Sequence, residues 1–112
     1  MEINVESMKR CDLATLSGMI DSASAPDLER QLLELIEGGT RNLVINLRGV
    51  TFISSPGLKA ILAAQIRVCR KIPPGEVALA EIPPKLREVL ELVGLQHLFR
   101  FYEQDVEAVG SF

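Results

Sequence analysis

The sequence predicts an α/β fold in which a mostly parallel β-sheet, with an N-terminal hairpin, is connected by crossover helices. Three observations predict it. Apolar residues recur at helical spacing in three segments, each opened by Ser or Pro and ended by Gly or Pro-Gly. Short apolar runs, typical of buried strands, lie between those segments. Strands that alternate with helices along a chain pair in parallel through right-handed crossovers.

Length and composition limit the class of protein. The 112 residues suit one domain over residues 1–112, and 47% hydrophobic residues are sufficient for a buried core. A net charge of −3 gives no general attraction for nucleic acid. No apolar stretch reaches the length of a membrane span, and no signal-peptide pattern is visible. We therefore expect a cytoplasmic protein with no nucleic-acid partner and no direct membrane insertion.

The first elements are a hairpin and a helix. Alternating apolar residues around a polar turn predict a β-hairpin that runs to about Ile20. Ser24 and Asp27 have the spacing of an N-cap pair, with a proline in the first turn. The apolar stripe of the helix then ends at Gly38 and Gly39, which supply positive φ.

The second half of the chain predicts two more strand–helix units. The run 42–47 indicates a strand buried on both faces, with a turn at Arg48 and Gly49. A second helix is predicted from Ser55 to about Lys71, with one core-facing apolar stripe: Leu58, Ile61, Leu62, Ile66 and Cys69. A short strand at 77–80 precedes a third helix opened by Pro83 and Pro84 and ended by Gly94, with a stripe of Leu86, Val89, Leu90 and Val93. An extended piece, 98–102, leads into a short acidic tail.

The junction before the second helix has the geometry of a modification site. Pro56 suits the first helical position, which would make Ser55 the N-cap and place its hydroxyl beside free backbone N–H groups. A phosphate attached there would meet hydrogen-bond donors and the positive end of the helix dipole. Gly57 has no side chain, so a partner's active site could approach this turn closely. On local sequence alone, however, an ordinary cap is the favoured interpretation.

Other candidate chemistry is weak. Asp21, at the equivalent junction before the first helix, is either a turn former or part of a binding surface, and the turn is favoured. No histidine lies near either junction, since the single His97 is far along the chain. Cys11 and Cys69 fit no metal or redox motif. No phosphate-cradling motif is present. We therefore expect no enzyme activity, no metal and no cofactor.

The ordered set of motifs resembles the STAS domain, the family of bacterial anti-sigma factor antagonists, over nearly the whole chain. The matching segments are 18–21 with Ala25 and Leu28, 42–50, 52–58 and 86–99. The resemblance implies an STAS-like fold and a cycle called partner switching. In that cycle the unphosphorylated antagonist binds an anti-sigma factor that is also a serine kinase with bound ATP. Phosphorylation of one loop serine ends the interaction, and a PP2C-type phosphatase reverses it.

The family's phosphoacceptor falls on Ser55, which now favours phosphorylation over a mere cap. Ser54 stands where many members have Asp, so it is a second, weaker acceptor candidate. We expect the loop and the Asp21 turn to form one neutral-to-acidic docking patch. The predicted partner-binding residues are Asp21, Ser22, Ser24, Ile53, Ser54, Ser55, Pro56, Gly57 and Lys59.

Two other functions are open at this point. One is a constitutive STAS binding subunit of a transporter or signalling complex, in which Ser55 only caps its helix. The other is a small-molecule sensor that binds nucleotide at the strand ends, which the lack of a phosphate-cradling motif disfavours.

Overall fold

The computed structural model describes residues 1–112. Its five strands are β1 (Glu2–Ser7), β2 (Asp12–Ile20), β3 (Asn42–Ile53), β4 (Glu76–Ala80) and β5 (Arg100–Tyr102). Its α-helices are α1 (Ala25–Glu37), α2 (Ser55–Cys69), α3 (Pro84–Leu92) and α4 (Asp105–Gly110), and a single 3-10 turn spans Leu95–His97.

The strands form one sheet in the order β1-β2-β3-β4-β5. β1 pairs with β2 in antiparallel fashion, and the other neighbours are parallel. The predicted hairpin and the predicted parallel sheet are thereby confirmed. Because β2, β3 and β4 run in parallel, their carboxyl ends lie at the same edge of the sheet, where functional groups collect in open α/β folds.

β3 is longer than predicted, and residues 48 and 49 do not form a turn. Thr15 pairs with Asn46 but Ser17 pairs with Gly49, so β3 carries an extra residue between these two pairs. This bulge bends the strand without ending it. β4 pairs only with residues 42–46 of β3. The carboxyl-terminal half of β3 therefore extends beyond β4 beside β2 alone.

The main core lies between the sheet and helices α1 to α3. It is built mainly from aliphatic side chains, of which the fully buried members include Leu16, Leu28, Leu32, Leu43, Ile45, Leu47, Ile61 and Leu79. Two predicted stripes are only partly correct. In α2 the buried face is Gly57, Ala60, Ile61, Ala64, Gln65 and Val68, while Ile66 and Cys69 are exposed. In α3, Leu86 and Leu90 are buried, but Val89 and Val93 are exposed.

Gln65 is a buried polar residue that the apolar pattern of α2 did not reveal. Its Nε2 donates to the carbonyl oxygen of Leu98 at 2.6 Å, and its Oε1 accepts from the backbone N–H of Val77 at 2.8 Å. The side chain therefore joins α2 to β4 and to the segment after α3. Small residues elsewhere on this face, such as Ala60 and Ala64, allow α2 to pack close to its neighbours.

Replacing Gln65 by leucine should lower the free energy of unfolding by about 2 kcal/mol, because two backbone groups lose their partner while the volume is nearly kept. Urea denaturation of the variant measures this. Gln96→Leu, at an exposed position, is the control and should change stability by less than about 0.5 kcal/mol. Equal stability of the two variants would contradict the bridging role of Gln65.

The predicted acidic tail is in fact α4, which packs on the other face of the sheet. Ala108 of α4 is fully buried in a small second cluster with Cys11, Leu13, Val44, Ala78 and Ala80. A Gln104–Glu107 capping box begins this helix, and Glu81 accepts a hydrogen bond from the backbone N–H of Asp105 at 3.0 Å. No helix of the protein has both the length and the apolarity required to span a bilayer.

Candidate phosphorylation site and binding surface

The two predicted junctions lie side by side at the carboxyl ends of β2 and β3. The backbone N–H of Ser54 donates to the carbonyl oxygen of Ile20 at 2.8 Å. Ile20 and Ile53 are paired across the two strands and are both buried. The loop that carries the serines is therefore tied to the loop that carries Asp21, as the sequence predicted.

The helix cap is Ser54, and the prediction that Ser55 is the N-cap is wrong. Ser54 has extended backbone angles (φ −84°, ψ 169°), and its Oγ accepts from the backbone N–H of Gly57 at 3.2 Å. Ser55 is the first helical residue and Pro56 the second. Proline is compatible with either place, because N–H groups of the first turn have no partner within the helix. Proline alone therefore located the cap only to within one residue.

This shift separates the two serines by environment. Ser54 is half-buried and its oxygen is engaged in the cap, whereas Ser55 is exposed and its side chain makes no hydrogen bond within the protein. The donors expected around a phosphate are fewer than predicted, since the N–H groups of Gly57 and Leu58 both bond to Ser54. The N–H of Ser55 itself donates to no protein acceptor. Ser55 thus presents a free hydroxyl at the positive end of α2.

Gly57 faces the interior, so the prediction that it lets a partner approach the turn from outside is wrong. A Cβ atom at this position would lie 2.8 Å from both Ile20 Cγ2 and Ile53 Cγ1. Glycine is therefore what allows the first turn of α2 to sit against the ends of β2 and β3. This close approach fixes the position of the serine loop relative to the sheet.

Asp21 is a turn former, which was the favoured interpretation. Its Oδ1 accepts from the backbone N–H groups of Ala23 and Ser24 at 3.1 and 2.9 Å, and from the Ser24 hydroxyl at 3.0 Å. Ser24 Oγ in turn accepts from the backbone N–H of Asp21 at 3.0 Å. The predicted Ser24–Asp27 capping pair does not form, since Ser24 makes no side-chain cap and Asp27 bonds to Arg30 and Gln31.

These bonds, first among them the backbone N–H of Ser24, lower the pKa of Asp21 below its ordinary value. A depressed carboxyl pKa stabilises the folded state above the unfolded pKa, and the contribution is lost as the pH falls through the folded pKa. Wild type should therefore be more stable than Asp21→Asn at pH 6, and the difference should shrink below about pH 4. Urea denaturation of both proteins from pH 6 to pH 2.5 tests this, and a constant difference would contradict it.

The remaining candidate residues differ in exposure. Ser22, Pro56 and Lys59 are exposed, whereas Ile53 and Gly57 are buried and support the loop from beneath. A groove of about 290 Å³ runs between the first turns of α1 and α2, lined by Ala25, Pro26, Glu29, Pro56 and Lys59. It carries one acidic and one basic side chain, so its formal charge is zero.

An exposed apolar pair that was not predicted from the sequence lies at the same end of the sheet. Met19 and Phe52 are cross-strand partners, 55% and 48% exposed. Their sequence neighbours Ile20 and Ile53 point into the main core, so alternation along a strand puts Met19 and Phe52 on the opposite face. Period-2 alternation was the signal that could have identified them.

The family to which this chain belongs follows from comparison with known proteins. A protein-family model described as the STAS domain matches residues 2–108. The chain belongs to the STAS domain family. Among relatives of this STAS domain, BtrV of Bordetella bronchiseptica, which is assigned as an anti-sigma factor antagonist, is 32% identical over 114 residues. That match covers 100% of this chain and 95% of BtrV.

A second relative is RsfB of Mycobacterium tuberculosis, an anti-sigma-F factor antagonist. It is 31% identical to this STAS domain over 88 residues, which cover 79% of this chain and 70% of RsfB. Among solved structures, an anti-sigma factor antagonist from Mycobacterium paratuberculosis superposes with a TM-score of 0.88 at 26% identity, covering 98% of this chain and 92% of that one. The predicted fold is confirmed.

The phosphorylated form of the Bacillus protein SpoIIAA shares the fold, with a TM-score of 0.75 at 18% identity, covering 98% of both chains. A sulfate transporter family protein from Wolinella succinogenes also shares it, with a TM-score of 0.71 at 20% identity, covering 88% of this chain and 81% of that one. The same fold therefore occurs in proteins of different biological settings, and function has to be argued from the site.

Proposed function

We propose that this protein is an anti-sigma factor antagonist that works by partner switching as one cytoplasmic STAS domain over residues 1–112. In its unphosphorylated form it binds an anti-sigma factor that is also a serine kinase. Phosphorylation at Ser55 releases it, and a PP2C-type phosphatase restores binding. It acts as a binding protein and not as an enzyme.

The observation that carries the proposal is the position of Ser55. Its side chain is exposed on the first residue of α2, while the backbone around it is held by the Ser54 cap, the Ser54–Ile20 hydrogen bond and the packing of Gly57. A kinase acts on a side chain that it can reach in a defined geometry. Ser54 meets that requirement less well, since its oxygen already accepts a hydrogen bond inside the protein.

The relatives support the same proposal. BtrV and RsfB carry the name of anti-sigma factor antagonist, and the match to BtrV spans the whole of this chain. The residues that would face a partner at this edge of the sheet are Asp21, Ser22, Ser24, Ser54, Ser55, Pro56 and Lys59.

Release follows from electrostatics. A phosphoserine adds a charge of about −1.5 to −2 at neutral pH. At Ser55 that charge would lie at the interface, where the partner would have to desolvate it. A buried charge without a matching cation strongly opposes association. The unpartnered N–H of Ser55 and the helix dipole stabilise the phosphate in the free protein, which also favours the dissociated state.

The test is a pull-down from native lysate with wild type and with Ser55→Asp as baits, followed by identification of the bound proteins. We expect wild type alone to retain a serine kinase. Incubation of the purified pair with ATP should then add one phosphate, which mass spectrometry should locate on Ser55. Phosphate on another residue would refute the site assignment.

A constitutive binding subunit would behave differently. It would retain the same partners, such as membrane transport components, with wild type and with Ser55→Asp alike. That result would refute partner switching and leave a STAS binding module.

A further inference from the structure

The face of the sheet opposite α1 to α3 is only half covered. α4 packs on its lower part, over Leu13, Val44, Ala78 and Ala80. Toward the carboxyl ends of the strands, that face carries Thr15, Ser17 and Met19 of β2 and Gly49 and Phe52 of β3, none of which is buried. We call these five residues the open half-face.

The open half-face has the shape of a docking surface. Met19 and Phe52 stand side by side at its upper end, and small residues form the floor beneath them. A Cβ atom on Gly49 would lie only 2.9 Å from Ser17 Cβ, so the two strands approach closely there and no side chain rises from β3. An exposed Phe beside an adaptable Met, above a low floor, fits an inserted apolar side chain.

One cation borders the open half-face. Arg48 has a side chain that is 76% exposed, and its guanidinium reaches Glu81 at 3.4 Å. Glu81 also holds the start of α4, which places Arg48 on the same face of the sheet as α4. Glu2 and Glu6 of the outer strand β1 pair with Ser17 and Leu13, so their carboxylates lie on this face as well.

We propose that the open half-face and Arg48 form the docking surface for the anti-sigma factor, which inserts an apolar side chain between Met19 and Phe52 and places a carboxylate against Arg48. This inference rests on the proposed function. Its first support is continuity with the loop that carries Ser54 and Ser55. Two residues lie between Phe52 and Ser55, so the Cα atoms of Phe52 and Ser55 are at most about 11 Å apart. A partner that reaches the Ser55 hydroxyl is therefore close enough to contact Phe52 as well.

The second support is charge. The Arg48 side chain is 76% exposed, and its only ion pair is with Glu81 at 3.4 Å. A guanidinium has five N–H donors, so Arg48 can also bind a carboxylate of the partner. An apolar centre with an acidic rim is thus the partner chemistry that complements this surface.

The experiment uses the serine kinase that the pull-down identifies, purified, and measures its affinity for variants of the full chain. We expect Phe52→Ala to weaken binding at least tenfold, as buried aromatic anchors do, and Met19→Ala to weaken it several-fold. Arg48→Gln should weaken it and reduce its salt dependence. Leu92→Ala, at a residue that is 90% exposed on α3, is the matched control and should stay within twofold of wild type.

A second readout separates docking from a change in the serine loop. In phosphorylation assays, Phe52→Ala should raise the KM of the kinase for this protein and leave kcat nearly unchanged. Thermal melts of all variants verify that they are folded.

The outcomes are distinct. If wild type binds, Ser55→Asp is released and Phe52→Ala binds like wild type, the docking surface is refuted and the proposed function stands. If wild type binds no kinase, the docking surface and the proposed function are both refuted. If wild type forms a dimer that Phe52→Ala abolishes, the surface belongs to a second copy of this chain, which also overturns the proposal.

Discussion

Ser55→Asp is expected to weaken binding of the anti-sigma factor by about a hundredfold. Phosphorylation of Ser55 is expected to weaken it further. A near-complete change from bound to free requires a difference of roughly 10⁴ in affinity, or about 5.5 kcal/mol. A phosphate adds up to two charges and an aspartate adds one. The aspartate should therefore supply about half of that free energy. Titration calorimetry with the purified partner measures both values.

The control for this prediction is Ser7→Asp. Ser7 is also exposed, but it lies at the end of β1, where β1 pairs with the start of β2 and not with its carboxyl end. The same change in net charge at that distance should alter affinity less than threefold. If Ser7→Asp and Ser55→Asp weaken binding equally, net charge rather than the site controls the interaction.

Ser55→Ala and Ser54→Ala complete the series. Ser55→Ala should bind like wild type and remain bound in the presence of ATP, because it has no acceptor for the phosphate. Ser54→Ala removes the helix cap and should lower the free energy of unfolding by about 1 kcal/mol. It should still be phosphorylated on Ser55. Phosphorylation of Ser55→Ala at the same rate as wild type would contradict the assignment.

Gly57→Val is expected to lower the free energy of unfolding by about 3 kcal/mol, since the added side chain overlaps two stiff, buried isoleucines. For a domain of this size the loss corresponds to a fall in melting temperature of roughly 10 °C. Relief of the overlap would require the first turn of α2 to move away from the sheet. Partner affinity should therefore decrease as well, even at a temperature where the variant is folded.

Gly110→Val is the matched control for this variant. No atom lies within 4 Å of a Cβ placed on Gly110, which is also in a helix. The same substitution there should change stability by less than about 1 kcal/mol and leave partner affinity unchanged. If the two variants melt at the same temperature, the close approach of Gly57 to Ile20 and Ile53 does not control the position of the loop.

The wrong predictions for the α2 cap and for residues 48 and 49 share a physical origin. Local rules find that a helix begins near Pro56, but a cap is one hydrogen bond, and either serine could make it. The strand end fixes the outcome, because Ser54 must be extended for its N–H to reach Ile20. The turn predicted at Arg48 and Gly49 is a bulge for a related reason. Pairing with β2 continues on both sides of it, and no local propensity encodes that pairing.

The buried faces predicted for α2 and α3 are partly wrong, because at the edge of the core the polarity of a side chain does not determine whether it is buried. Gln65 is buried since its amide satisfies Val77 and Leu98, which are 12 and 33 residues away. Ile66 and Val89 are apolar yet exposed, because no neighbouring element covers that side of their helices. Hydropathy describes a side chain, whereas burial depends on what is packed against it.

From the sequence alone follow the α/β class, the order of strands and helices up to β5, the pairing of the hairpin and the parallel sheet, and the neighbourhood of the Asp21 and Ser55 loops. Each depends on the periodicity of apolar residues or on Gly and Pro residues that end helices and strands, and these signals act over a few residues. The tertiary structure decided which serine caps α2, which way Gly57 faces, and that Met19 and Phe52 are exposed together. Those features depend on contacts between distant segments, since they require Ile20 and Ile53 to meet at the ends of two strands.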